Sequence, residues 1–423
     1  MEKYLPRIAD KVLQDHLNSK GAVLIEGAKW CGKTTTAKHL AQSFISLDDP
    51  QKTKQYQEMA DLNPSALLEG KNPHLIDEWQ IAPKLWNAVR YEVDQRDEFG
   101  QFILTGSSVP PQLDTSTHTG IGRIVKMRMR PMSLFESGDS SGEVSLTELL
   151  EQKKISGSDN HTIENIAYEI CRGGWPKAIG LTPQIALQQA IDYYEAVVSD
   201  DISRVDGKKR HIPRTQRLLR SYARNIASQA TLEKIRQDVL MNDADTFDNN
   251  TLYSYLEALR KIFVIEDSPS WNPNLRSKSA IRTTDTRYFC DPSIASAALG
   301  IGPEDLINDL NTMGLIFENL AIRDLRIYAQ LLNGDIYHFR DKTGLECDAV
   351  LQLRNGSYGL IEIKLGGDKL IEEGVANLVK LSGLIDQTKM KAPSFMMILC
   401  AIAPYAYQRK DGVYIVPISC LKP

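Results

Sequence analysis

Gly27-Ala28-Lys29-Trp30-Cys31-Gly32-Lys33-Thr34 is the stretch from which the rest of the chain is read. It fits G-x-x-x-x-G-K-[ST] at every fixed position, the spacing of a phosphate-binding loop. Gly27 and Gly32 permit turns that a Cβ would resist. Successive N–H groups along Gly27, Ala28, Lys29, Trp30, Cys31, Gly32, Lys33, Thr34 and Thr35 can then face an anion. Lys33 is expected to reach β- and γ-phosphates and Thr34 to offer its hydroxyl to Mg²⁺, which makes ATP and Mg²⁺ the expected ligands. Such a loop needs a strand before it and a helix after it. Ala22-Val23-Leu24-Ile25 is an apolar run suited to a buried parallel strand. Thr34-Thr35-Thr36-Ala37-Lys38-His39-Leu40-Ala41 predicts a helix whose N-terminus faces the phosphates.

The chain has 423 residues, enough for two to four domains. Its net charge of -4 gives no global field that would recruit nucleic acid, so any such contact must come from a local patch. The six cysteines include no C-x-x-C pair, which argues against a zinc site and for a reducing, cytoplasmic setting. No apolar run approaches membrane-spanning length, and the N-terminus lacks the apolar core of a signal peptide.

Downstream of the loop the pattern repeats. His74-Leu75-Ile76-Asp77-Glu78-Trp79-Gln80 is an apolar strand ending in paired acids. Asp77 is placed to hold Mg²⁺, and Glu78 to orient and deprotonate an attacking water. Phe102-Ile103-Leu104-Thr105-Gly106-Ser107-Ser108 is a further apolar strand, with Thr105 where a side chain would sense the γ-phosphate. Ser107 and Ser108 could instead cap a helix. Arg123 is a candidate arginine finger, acting within or between subunits. The competing reading is that Arg123, Arg128 and Arg130 form a solvated strand face.

These residues resemble a prokaryotic family of AAA-type P-loop ATPases with a C-terminal domain of unknown function. The matching segments are the phosphate loop, Leu75 to Gln80, Leu104 to Ser108, Gly122-Arg123, Arg130-Pro131-Met132-Ser133-Leu134, Gly173-Gly174-Trp175-Pro176, Tyr255-Leu256-Glu257-Ala258-Leu259 and Trp271-Asn272-Pro273. Trp30-Cys31 departs from the family's smaller or polar residues. The resemblance implies an α/β chain: a P-loop NTPase parallel-sheet core over 1–165, a helical lid over 166–212, a winged-helix-like segment over 213–300 and a nuclease-like α/β domain over 301–423.

The middle of the chain predicts a long helix over 185–203, then a basic run, Lys208-Lys209-Arg210-His211-Ile212-Pro213-Arg214. Arg214, Arg217 and Arg224 share a helix face that could meet phosphates, although such stripes are usually just solvated. Three helices followed by a hairpin is winged-helix order. Tyr255-Leu256-Glu257 lacks base-reading side chains, which favours a packing role for the third helix.

In the last quarter, Gly314 to Leu325 predicts a helix carrying Glu318. Glu346 to Leu351 and Tyr358 to Lys364 predict a hairpin around Asn355-Gly356. Strand alternation puts Glu362 and Lys364 on one face. A helix acid, a hairpin acid and acid-x-lysine make the PD-(D/E)xK nuclease pattern. Asp348 and Glu362, with Glu318, are expected to hold a divalent cation, and Lys364 to activate water beside a phosphodiester of DNA. A salt-bridged hairpin without activity would use the same residues. Two functions therefore stand open: an ATPase with a nuclease-like domain acting on DNA, in a homo-oligomer if Arg123 works between subunits, or a nucleotide-dependent switch whose C-terminal domain binds a protein partner without cutting.

Overall fold

The computed structural model describes residues 4–107, 122–241, 247–276, 278 and 280–423. Ser108 lies outside them. Contacts divide the chain into two units: Met1–Pro131 with Val197–Arg210 and Ser254–Val264, and Met132–Ala196 with His211–Tyr253 and Ile265–Pro423.

The first unit is built on five parallel strands: β1 (Ala22–Glu26), β2 (Ser43–Ser46), β3 (His74–Asp77), β4 (Phe102–Gly106) and β5 (Ile124–Arg128). Their order is β2-β3-β4-β1-β5. The central strands are apolar without alternation because both faces are covered, as in parallel sheets generally. Leu24, Ile76 and Leu104 pack with Trp79, Trp86 and Val89 in one core. Parallel strands send all their C-terminal ends to one edge, which is where such sheets bind ligands.

The second unit holds a mixed seven-stranded sheet. Its strands are β7 (Gly157–Ser158), β8 (Gly334–Arg340), β9 (Glu346–Leu353), β10 (Tyr358–Lys364), β11 (Phe395–Cys400), β12 (Tyr405–Gln408) and β13 (Val413–Pro417). They run in the order β7-β12-β13-β11-β10-β9-β8. A separate pair joins β6 (Val144–Ser145) to β14 (Leu421–Lys422) in parallel. Helix Leu310–Leu331 precedes β8, and helix Asp368–Leu384 follows β10.

Several boundaries differ from those expected. Residues 132–165 run with the second unit, because β6 and β7 pair with strands near the C-terminus. Two-residue strands with partners so far along the chain leave no periodic trace in sequence. The helix expected over 185–203 covers Pro183–Ala196, then passes into a π-helical turn at Val197–Asp201 that belongs to the first unit. The three middle helices form at Ile212–Arg224, Leu232–Leu240 and Asn249–Lys261. The hairpin after them is reduced to isolated antiparallel bridges, Ile265↔Phe289 and Ser268↔Thr286. On the basic face, Arg224 pairs with Asp238 at 2.7 Å and Arg214 lies over the Phe247 ring. Arg210 is buried against Asp206 at 2.8 Å. These partners favour the solvated or structural reading of that stripe. All six cysteines are buried and free. Among the described residues, no helix is long and apolar enough to cross a membrane.

Candidate active sites

The loop from Gly27 to Gly32 leaves the C-terminal end of β1 and enters helix Lys33–Leu40. Gly32 caps that helix at φ +100°, a conformation L side chains avoid. Gly27 is required for a different reason. A Cβ there would lie 2.0 Å from the Met129 carbonyl oxygen. Cys31, the unexpected residue, is fully buried and its thiol points at that same carbonyl, 3.6 Å away. Arg7 secures the loop from the N-terminal side, donating 2.8 Å to the Cys31 carbonyl and 2.9 Å to that of Arg130. Ala28 is buried, Trp30 is exposed at φ +65°, and Thr35 is exposed on the first helical turn. Lys29 pairs with buried Asp201, from the π-helical turn.

Lys33 is buried and donates to the Gly27 and Ala28 carbonyls at 2.9 and 2.8 Å. These are neutral acceptors, so its charge is left for an anion. The Thr34 hydroxyl donates to Asp77 Oδ1 at 2.8 Å. The residues expected to share a cation therefore meet from adjacent elements. The strand order explains how: β4 lies between β1 and β3, and Thr105, opposite Ile25, fills the gap between loop and acid.

Thr105 does not project freely as a phosphate sensor would. It is fully buried, its hydroxyl donates to Asp77 Oδ1, and its oxygen accepts the Glu78 N–H at 3.2 Å. Its one hydroxyl proton is engaged, so its geometry is that of a residue positioning both acids. Glu78 takes φ +55°, and such a residue costs about 1–3 kcal/mol unless its surroundings hold it. They do: Gln80 Nε2 and the Ser107 hydroxyl, the latter at 3.2 Å, both donate to Glu78 Oε2. A Cβ on Gly106 would lie 2.9 Å from the Trp79 indole nitrogen and 3.1 Å from Gln80 Oε1. The roles of Gln80 and Ser107 escaped the sequence reading. The only signal was their place two residues beyond Glu78 and Thr105.

Arg123 is placed differently from the rest. It precedes β5, whose Ile124 pairs with Ala22 at the start of β1. The phosphate loop leaves the opposite end of β1. Five residues at about 3.3 Å each separate them by roughly 15 Å. Arg123 instead bonds Asp94 at 2.6 Å. A finger acting within the same subunit is thus ruled out by strand length. At the correct edge stands Arg128, paired in register with Glu26 and lying over the Phe263 ring.

The second unit brings its predicted residues together at the end of the β9–β10 hairpin. Val350 faces Leu360 across the two strands, and the same register sets Asp348 opposite Glu362. Lys364 Nζ lies 3.0 Å from Asp348 Oδ2 and 2.6 Å from Glu362 Oε2. Asp348 Oδ2 also accepts the Ile363 N–H at 2.8 Å. Glu362 is fully buried, yet both its oxygens lack a hydrogen-bond donor; Lys364 is close but poorly aligned. Glu318 approaches from helix Leu310–Leu331, held by the phenol of buried Tyr288. Burial, then the charge of Asp348, pushes Glu318 and Glu362 well above the usual carboxylate range. Burial opposes the charge on Lys364, but Asp348 and Glu362 outweigh it and hold the ammonium above its ordinary value.

This differs from the expected metal shell. Among the described residues, no three His, Cys, Asp or Glu side chains are grouped to hold a metal ion. The physical reason is that Lys364 bridges the two hairpin acids and Tyr288 holds the helix acid. The orphaned oxygens of Glu362 are nevertheless a donor set suited to a hard cation.

The first unit's five-stranded order, loop and acid strand define a P-loop NTPase fold, followed by a C-terminal α/β domain. Residues 19–137 match the family model of the AAA domain, so this part of the chain is similar to nucleotide-binding, AAA-type ATPase domains. Residues 163–305 and 313–421 match two domains of unknown function, DUF8612 and DUF4143. No curated protein matches the chain. Among solved structures, the Walker-type ATPase of Pyrococcus abyssi is similar at 16% identity and a TM-score of 0.43, covering 70% of this chain and 96% of its own. A signal-transduction ATPase with a tetratricopeptide repeat sensor from Pyrococcus horikoshii is similar at 12% identity and a TM-score of 0.23, covering 79% of this chain and 48% of its own.

Proposed function

We propose that the chain hydrolyses ATP at the first site and carries, in its second unit, a nuclease-like site directed at DNA. The contact between Thr34 and Asp77 at 2.8 Å, with Lys33 buried on the same loop, carries the first part. Mg²⁺ held by Thr34 and Asp77 would supply positive charge against the β- and γ-phosphate oxygens. Lys33 binds those same oxygens from the loop. Glu78 takes the proton of the water that attacks the γ-phosphorus, and the bond to the β–γ bridging oxygen breaks to leave ADP and phosphate. Thr105, Gln80 and Ser107 fix Asp77 and Glu78 in place. Phosphate release from Mg-ATP should fall to background in Lys33→Ala; equal rates in the two proteins would remove the ATPase assignment.

In the second unit, a divalent cation held by Asp348 and Glu362, with Glu318 adding an oxygen, would supply charge against a phosphodiester. Lys364 orients the attacking water. Plasmid cleavage in Mg²⁺ or Mn²⁺ is the assay, and cutting that survives Asp348→Ala would reject the site. The second reading, a nucleotide-dependent switch whose C-terminal domain binds a protein without cutting, is favoured by one observation: Lys364 already bridges both hairpin acids. A role for Arg123 survives only between subunits, and with it the expectation of a homo-oligomer. Sedimentation with and without nucleotide tests that; a monomer in both conditions would end it.

A further inference from the structure

Trp271-Asn272-Pro273 takes no part in either site, yet the structure gives it a defined place. Residues 270–276 form a strap along the edge of the second unit's sheet. Ser270 bridges His338 on β8, and the Trp271 N–H donates to the His338 carbonyl at 2.6 Å. The Arg276 N–H donates to the Leu384 carbonyl, and the Asn274 carbonyl accepts the Asp386 N–H. Trp271 is buried, its ring tilted at 45° against that of Tyr358, and its indole N–H donates to Gln352 Oε1 at 2.9 Å.

This strap separates two adjoining cavities of about 600 and 430 Å³, both bordered by Ser270, Asn272, Pro273 and Asn274. Tyr337, Lys389 and Lys391 line the larger one. Among the described residues, no acidic side chain lines either. Arg276 and Arg282 are exposed, each next in sequence to a lining residue of the smaller one. Arg276, Arg282 and Lys391 have no carboxylate partner among the described residues. Other exposed cations, such as Lys11, Lys84, Arg123 and Arg224, are each held by an aspartate. Lys389 pairs with Asp386 at 3.4 Å, so it is Arg276, Arg282 and Lys391 that leave this groove a local attraction for a polyanion on a chain of net charge -4.

The groove lies on the same hairpin as the acids, with the buried core residues Val350 and Leu360 between them. Gln352 faces Tyr358 at its floor, and the same sheet face carries Val350 opposite Leu360 and then Asp348 opposite Glu362. Gln352 and Asp348 are four residues apart on β9, or roughly 13 Å. Each cavity has the size of a small-molecule pocket, suited to one or two nucleotides rather than a duplex.

We propose that this groove binds a single-stranded nucleic-acid segment, with Lys389, Lys391, Arg276 and Arg282 on its phosphates and the Asn272 and Asn274 amides on phosphate or base edges. The proposal rests on the nuclease-like reading of this unit for its choice of ligand, but binding itself requires no cleavage. The test is fluorescence anisotropy of a labelled oligo-dT of about 15 nucleotides with the full-length protein in EDTA. The double variant K389E/K391E should bind at least about tenfold more weakly, and its salt slope should fall by about 1.4, two phosphate contacts at about 0.7 each. Unchanged affinity would overturn the proposal. So would an equal loss in the charge-matched control K153E/K234E, or labelled polyglutamate binding as tightly as the oligonucleotide. Thermal melting of K389E/K391E at the wild-type temperature shows that any loss is not unfolding. Failure to cut DNA with metal present would sink the nuclease reading and leave this binding result standing.

Discussion

The two sites hold their carboxylates in opposite ways. In the first unit, Asp77 is bound by neutral hydroxyls from Thr34 and Thr105, while Lys33 rests on backbone carbonyls. Acid and base are kept on separate partners, so each keeps its charge for a ligand. In the second unit, Asp348 and Glu362 share one ammonium, Lys364. That ammonium offsets one of their two charges within the protein. A site of the first kind is preorganised for a cation and an anion together; one of the second kind must give up an internal ion pair before it can hold either.

That contrast can be broken most sharply at Glu78. Glu78→Gln should lower ATP turnover by about 10²- to 10⁴-fold while nucleotide affinity stays within a few-fold, read by phosphate release and calorimetry. A parallel loss of affinity would mean that Glu78 holds nucleotide rather than water. The next effect belongs to the second site. Lys364→Met strands a fully buried carboxylate and should cost about 3–5 kcal/mol in urea unfolding. E362Q/K364M should recover much of this, since the buried charge goes too. If the double variant is no better than the single one, the acids are not balanced by that lysine. Thr105→Val comes third. It removes one donor from Asp77 and the acceptor of the Glu78 N–H, a loss of about 2 kcal/mol, smaller than at Lys364 because Thr34 remains. An equal loss at both positions would erase the distinction drawn here.

The smallest effect lies outside both sites and checks the same logic of paired charge. His161 sits between Asp159 and Glu169, at 3.2 and 3.1 Å. Its hydrogen bond to Glu169 raises the imidazole above its ordinary value of 6.5, despite burial. A raised folded-state value adds stability that is complete below 6.5 and is lost as pH climbs through the folded value. Burial likewise raises Glu169, from an ordinary 4.5, which works in the same direction. Thermal melting should therefore fall as pH rises above neutral, by no more than about 1 kcal/mol for this group. His161→Gln should flatten that slope, and a slope unchanged by the substitution would place its origin elsewhere.

How much of each site could be read in advance follows from its range along the chain. Lys33, Thr34 and the two glycines obey a spacing that fixes a local backbone shape. The fold class followed, because apolar runs of strand length alternating with helical periods admit few arrangements. Asp348, Glu362 and Lys364 were legible through a single hairpin, whose register is set by one turn. Arg123 was not, because its distance from the loop depends on which end of β5 meets which end of β1. Nor could sequence say that Thr105 would spend its hydroxyl on Asp77, since that needed β4 to insert between β1 and β3.

Sequence alone therefore determined the kinds of chemistry present: a phosphate loop, an acid pair on a strand tip, and a hairpin of acids with a lysine. Their spacing lies within a turn or a strand pair, where covalent geometry leaves little choice. Tertiary structure decided which of these groups keep their charge, where the units divide, and that a strap around Trp271 borders a groove lined by Lys389 and Lys391. Those outcomes depend on contacts between segments far apart in the chain, and no local pattern records such contacts.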